Sequence, residues 1–209
     1  MTLNPALLRL VAITDSFRDG IDGLTSRAQQ AVLGGATMIQ LRLPDESPRM
    51  LVDIARSLLA SLPGVPVVVN SRMDVAMASG AHGVHLSIDD LVPAAARRAA
   101  PAGFIIGASV GGDVDVSRTV GADYVAIGPV FGSGGRENST GAMGLARFST
   151  LCQMCAAPAI AVGGVTAANV ASVMATPAIG VAVISALFSS ADPMQAARAI
   201  RAAQDASGS

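Results

Sequence analysis

The sequence predicts an α/β chain folded as a single (β/α)8 TIM barrel over residues 1–209, and three observations lead there. Short apolar runs recur roughly every 20–30 residues, as linked βαβ units require. Ala-rich stretches with helical apolar spacing lie between them. Each run closes on a polar residue or a glycine, which is where this barrel builds its site.

The runs are Leu10–Thr14, Met38–Leu41, Val65–Val69, Gly83–Leu86, Phe104–Ala108, Tyr124–Ile127, Ala159–Val162 and Val181–Ile184. They are rich in Val, Ile and Leu, the side chains of strands buried on both faces. The segments Leu24–Leu33, Ser47–Leu62, Val92–Ala100 and Val114–Val120 carry the spacing of helices packed on a sheet. Eight such units suggest closure of the sheet. An open doubly wound sheet usually places a glycine-rich phosphate loop after its first strand, and Thr14-Asp15-Ser16-Phe17 is not one. The longest expected loop, Gly132–Gly144, follows the sixth strand and has the length of a binding loop.

Composition narrows the chemistry. All 14 basic residues are arginine, so neither a Schiff-base lysine nor a P-loop lysine exists in this chain. Any phosphate must be met by Arg, by backbone N–H groups or by a metal ion. A net charge of -1 supplies no basic field for nucleic acid or anionic lipid. The mean hydropathy of +0.53 is high, yet the longest apolar run, Ala178–Phe188, is far below the roughly 18 residues of a membrane span. With no signal-peptide pattern near Pro5 and Arg9, a soluble, cytoplasmic protein is expected. The sequence leaves a homo-oligomer open. Cys152 and Cys155 form a lone CxxC without further ligands, which reads as two reduced thiols rather than a zinc site.

The strand ends collect Asp15, Gln40 with Arg42, Asn70, His85 with Asp89 and Asp90, Ser109, Arg136, Gly163 with Gly164, and Ser185. Gly163-Gly164 after strand seven and Ile184-Ser185-Ala186 after strand eight stand where such barrels bind phosphate on backbone N–H groups. His85 reads equally as a mouth residue or a hydrogen-bonded core histidine, and His82 as a surface residue. Asp89 and Asp90 read either as ligands or as the acidic start of the helix through Pro93.

The segments MIQLRL (Met38–Leu43), VVVN (Val67–Asn70), GVHLSIDDL (Gly83–Leu91), GADYVAIGPVF (Gly121–Phe131), AVGGV (Ala161–Val165) and GVAVISALF (Gly180–Phe188) resemble the thiamine-phosphate synthase family in order and spacing. The resemblance spans about Leu10 to Ala196. It implies a transferase that joins hydroxymethylpyrimidine diphosphate to a thiazole phosphate, releasing pyrophosphate through a cation-like pyrimidine methylene, with Mg²⁺ on the leaving group. Carried over, it implies that Gln40 addresses the pyrimidine, that Arg42 and Asn70 hold the diphosphate, and that Asp90 ligates Mg²⁺. It further implies Ser109 at the reacting groups, Arg136 in place of a family lysine, and Gly164, Ile184 and Ser185 on the thiazole phosphate. Arg42, Ser109 and Arg136 are thus the candidate catalytic residues, with His85 a secondary binding residue.

Departures from the family pattern gather at the diphosphate end. An Asn-Asp pair is Asn70-Ser71 here, a lysine is Pro44, a Ser-x-His is Ser109-Val110-Gly111, and a threonine-rich loop is Ser133-Gly134-Gly135. Asp89 or Asp74 would then replace the missing carboxylate. The related thiazole tautomerases share the fold and the phosphate site, need no metal, and use a histidine at the position of Gly111. A tautomerase-like isomerase and a non-catalytic binder of such phosphates are therefore the alternatives.

Overall fold

A computed structural model describes residues 3–132 and 141–206. The strands are β1 (Leu10–Ile13), β2 (Met38–Leu41), β3 (Val67–Asn70), β4 (Gly83–Leu86), β5 (Ile105–Val110), β6 (Tyr124–Ile127), β7 (Ala159–Val162) and β8 (Gly180–Val183). All pairs are parallel and β8 returns to β1, closing the barrel in sequence order. The expected architecture is therefore observed. Four strands sit slightly off their expected bounds, β1 ending at Ile13 rather than Thr14. β3 starts at Val67 and runs through Asn70, whose register partner is His85, and β5 extends to Val110 opposite Ile127. β8 starts at Gly180 beside Ile160.

Alternate residues of each strand face opposite sides. Val11, Ile13, Met38, Val68, Ile105, Tyr124, Ala126, Ile160 and Ala182 cluster inside the barrel, with Leu8 of a short 3-10 turn beneath them. Their neighbours, such as Leu10, Ile39, Val69, Val84, Ile106 and Val125, belong to the outer cluster beneath the helices. The same parity sends Gln40, Asn70, His85 and Ser109 inward at the upper end, so strand alternation alone brings them together.

The helices are α1 (Gly20–Leu33), α2 (Pro48–Ser61), α3 (Met73–Ser79), α4 (Pro93–Ala99), α5 (Asp113–Val116), α6 (Gly144–Met154), α7 (Val170–Met174), α8 (Ser185–Phe188) and α9 (Pro193–Asp205). In α2 the Ser47 hydroxyl accepts from Met50 N–H, Pro48 takes the first turn, and Leu51, Ile54, Ala55 and Leu58 form the buried stripe. Truncating a buried leucine such as Leu58 to Ala costs about 2–5 kcal/mol. The helix expected over Val114–Val120 is a single turn followed by a 3-10 turn, Ser117–Thr119, in which Thr119 Oγ1 donates to Val116 O. That hydroxyl bond competes with a regular helix. At the closing seam Gln204 Nε2 donates to Arg9 O at 2.7 Å, and Arg9 pairs with Asp205, tying α9 to the start of β1.

Among the described residues, no helix is long and apolar enough to cross a membrane.

Candidate active site

One continuous hydrogen-bonded row crosses the mouth. Gln40 Nε2 donates to Asn70 Oδ1 at 2.9 Å, and Asn70 Nδ2 donates to Ser71 Oγ at 2.9 Å. Ser71 Oγ lies 3.0 Å from Ser87 Oγ, and Ser87 N–H donates to Asp90 Oδ2 at 2.6 Å. The row thus holds Gln40, Asn70 and Asp90 in one array. Ser71 has φ 60°, the left-handed region that few non-glycine residues adopt. Its N–H donates to His85 O at 2.8 Å, which fixes that turn against β4.

Thr14, fully buried at the end of β1, accepts from Arg42 N–H at 2.8 Å and donates to Arg42 O at 3.0 Å. This pins the backbone of Arg42 and leaves its exposed side chain at the rim. Arg42 shares a cavity of about 200 Å³ with Pro44, Glu46, Asn70, Ser71 and Arg72. Asp74 is occupied by the Arg72 guanidinium, whose hydrogen bonds hold its carboxyl below the usual range. It therefore faces a competitor for any cation. Asp15 accepts from Ser16 and from Ser189 beyond α8, so it ties two loops together.

His85 is buried, with Nδ1 3.0 Å from the Tyr124 hydroxyl and Nε2 3.0 Å from Ser109 Oγ. Desolvation lowers its pKa to about 4, partly opposed by the Asp90 charge, and keeps the imidazole neutral near pH 7. His82 is exposed, yet its Nδ1 accepts from Val67 N–H at 3.1 Å, a structural contact between β4 and β3. Ser109 and Asp90 share a small cleft of about 20 Å³ with Ser87 and Asp115. The buried Asp115 carboxylate accepts from both Gly111 N–H and Gly112 N–H at 2.9 Å, shaping the loop after β5.

On the opposite side of the mouth, Gly163, Gly164, Thr166, Ile184, Ser185 and Ala186 line a cavity of about 320 Å³. Gly163 and Gly164 have φ 93° and 64°, and a Cβ on Gly164 would stand 2.5 Å from Gly132 O. Only glycine fits this cup. The first turn of α8 adds N–H groups that have no helical acceptor.

The acidic pair does not start a helix. Val92 is the N-cap of α4, and Asp90 instead closes the turn Ser87–Asp90 through Ser87 N–H and its own N–H to Ser87 O. Asp89 beside it is exposed. Among the described residues, no three His, Cys, Asp or Glu side chains form a preassembled cation cage. Cys152 is buried in α6, where desolvation pushes its thiol up to about 12, and Cys155 is raised for the same reason. Such thiols stay protonated and are poor nucleophiles or ligands. Arg136 and Ser133-Gly134-Gly135 lie outside the described residues.

Strand parity thus gathers Gln40, Asn70, His85 and Ser109, with Arg42 and Asp90 at their rim and the Gly164–Ser185 cup facing them. Thr14, Tyr124 and Asp115 were not among the sequence candidates. The fold and site define a (β/α)8 barrel with a polar mouth and a glycine-built cup.

The model of the thiamine monophosphate synthase family matches residues 10–187, and the chain belongs to that family. A thiamine-phosphate synthase of Xanthobacter autotrophicus is 41% identical over 203 residues, covering 95% of this chain and 96% of the relative. One from Methanoculleus marisnigri is 44% identical over 181 residues, covering 85% and 86%. The solved thiamine phosphate pyrophosphorylase of Pyrococcus furiosus superposes with a TM-score of 0.83 at 30% identity, covering 97% of this chain and 98% of that one.

Proposed function

We propose that this chain is a thiamine-phosphate synthase, condensing hydroxymethylpyrimidine diphosphate with a thiazole phosphate to give thiamine phosphate and pyrophosphate. The observation that carries the reading is the pairing of a preorganised polar row, Gln40–Asn70–Ser71–Ser87–Asp90, with a separate anion cup at Gly164 and Ser185. Two phosphorylated substrates need two such places. Gln40 addresses the pyrimidine, Arg42 and Asn70 hold diphosphate oxygens, and Arg136 adds cationic charge. Gly164, Ile184 and Ser185 receive the thiazole phosphate through backbone N–H groups. Ser109 donates to the leaving diphosphate as its charge develops.

The donor set fits a Mg²⁺ that arrives with the diphosphate rather than one held in a protein cage. Such ions bind through one or two carboxylates, with substrate phosphates and waters completing the shell. Asp90, with Asp89 adjacent, would hold it, and Ser71 and Ser87 supply neutral oxygens nearby. When bound, the ion neutralises charge on the departing pyrophosphate.

The tautomerase-like alternative requires an imidazole at position 111, where this chain has a glycine whose N–H is taken by Asp115. His85 cannot stand in freely, since both ring nitrogens are engaged. Incubating the protein with both substrates, with and without Mg²⁺, and measuring pyrophosphate and thiamine phosphate tests the proposal. Mg²⁺-dependent formation of both products is expected. Binding of thiazole phosphate with no condensation under any metal condition would overturn it in favour of a binder.

A further inference from the structure

We propose that Tyr124 is a positioning residue for the condensation, holding the His85 proton on Nε2 so that the Ser109 hydroxyl keeps its own proton for the leaving diphosphate. This rests on the synthase reading above. The geometry begins with a glycine in the middle of a strand. His85 of β4 and Tyr124 of β6 are not neighbours, because β5 runs between them, and both are in register with Gly107. A Cβ on Gly107 would stand 2.3 Å from Tyr124 Cζ and 2.5 Å from its hydroxyl. The missing side chain lets the phenol reach across β5, bringing the two ring centroids to 5.5 Å and the hydroxyl to 3.0 Å from Nδ1.

The protons of this buried trio can then be assigned. Tyr124 is fully buried and, among the described residues, its hydroxyl has one partner, His85 Nδ1. If Nδ1 carried a proton and donated to the phenol oxygen, the phenolic proton would be left buried without an acceptor, an unfavourable state. The phenol therefore donates and Nδ1 is bare. A neutral imidazole with a bare Nδ1 carries its proton on Nε2. Nε2–H donates to Ser109 Oγ at 3.0 Å, occupying one lone pair of that oxygen. The hydroxyl proton of Ser109 is thereby turned away from the ring, and Ser109 lies at the cleft it shares with Ser87 and Asp90. In the opposite tautomer Nε2 would be bare and would accept the serine hydroxyl's hydrogen bond, leaving the leaving group without that donor.

Nitrogen-15 NMR of the histidine side chains reads the tautomer directly. The chain has only two histidines, and His82→Asn keeps an acceptor for Val67 N–H while leaving His85 as the sole imidazole. The expected spectrum shows a bare Nδ1 and a protonated Nε2 in ligand-free protein. Tyr124→Phe, which keeps the ring, should abolish that single-tautomer state. It should also lower kcat roughly ten- to a hundredfold, the range for losing one oriented hydrogen bond, with KM for both substrates within about twofold. Ser109→Ala added to Tyr124→Phe should cost little more, since both act on one donor. A protonated Nδ1 in the wild-type protein overturns the proposal, as does a Tyr124→Phe variant with wild-type kcat. Because the tautomer is read without substrate, absence of condensation in wild type would sink the synthase reading and leave the proton assignment to be judged by itself.

Discussion

Replacing Ser71 by Asp restores a carboxylate opposite Asp90, and its consequences can be worked from the mouth row. Ser71 Oγ is 3.0 Å from Ser87 Oγ, and Ser87 N–H is 2.6 Å from Asp90 Oδ2, so one residue separates the two side chains. A second carboxylate there would stand roughly 6 Å from the first, where two like charges repel by about 0.7 kcal/mol at the dielectric of water and about 3 kcal/mol at an effective value of 20. The backbone raises no objection, because φ 60° at Ser71 suits Asp better than Ser. Without metal, Ser71→Asp should therefore melt lower, by roughly 2–10 °C for about 1–3 kcal/mol in a domain of this size. A divalent cation relieves that repulsion, so Mg²⁺ should bind roughly ten- to a hundredfold tighter than in wild type. Asp90→Asn should move the other way, weakening Mg²⁺ and lowering turnover while sparing thiazole-phosphate binding. Turnover and melting temperature followed across a Mg²⁺ titration of the three proteins give both numbers. Wild-type condensation that needs no divalent ion, or an unchanged Mg²⁺ midpoint in both variants, would refute the assignment of this corner to the metal.

Other outcomes follow from the same geometry. A Cβ on Gly164 meets Gly132 O at 2.5 Å and the residue sits at φ 64°, so Gly164→Ala should weaken thiazole-phosphate binding at least roughly tenfold by calorimetry, with about 1–3 kcal/mol lost in stability; unchanged affinity would move the phosphate elsewhere. Asp115→Ala removes the acceptor of two N–H groups and should cost about 3 kcal/mol by urea unfolding, whereas a loss below about 0.5 kcal/mol would mean that the loop after β5 is held by other contacts. His85 takes up its proton only near pH 4 when folded but near 6.5 when unfolded. Between those values the unfolded chain binds the extra proton, so stability falls as pH drops through that window, by on the order of 3 kcal/mol in all. His85→Leu should flatten the pH dependence of the melting temperature between pH 6.5 and 4, and an unchanged slope would assign it to other groups.

Much of the site was legible because two rules coincide. Active residues of this barrel close the strands, and strand alternation decides which of them face inward. Gln40, Asn70 and Ser109 satisfy both rules and meet at the mouth, and His85, which read equally as a core histidine, is buried beside Ser109. Gly163 and Gly164 were legible from their place after β7. Tyr124 was missed because it opens β6 rather than closing it, and it reaches the mouth only through the gap at Gly107. A glycine inside an otherwise apolar strand was the available signal, since it often marks a close approach. Asp115 falls inside the helix expected over Val114–Val120, and its bonds to Gly111 and Gly112 depend on a loop path that no periodicity encodes. The two readings of the Asp89-Asp90 pair, ligands or an acidic helix start, could not be separated by spacing alone, because Pro93 follows closely; the chain uses Asp90 to close a turn three residues before that proline.

The seam between α9 and β1 bears on how the chain could be rewired. Gln204 holds Arg9 O and Asp205 holds the Arg9 guanidinium, so the first strand and the last helix are stitched side by side. Sequence order is then a matter of genetics more than of architecture, because a short flexible peptide from α9 to the turn before β1 would bridge neighbours already in contact. A circular permutant opened at the exposed Pro63-Gly64 turn between α2 and β3 would keep every strand pair and leave both the polar row and the glycine cup uncut.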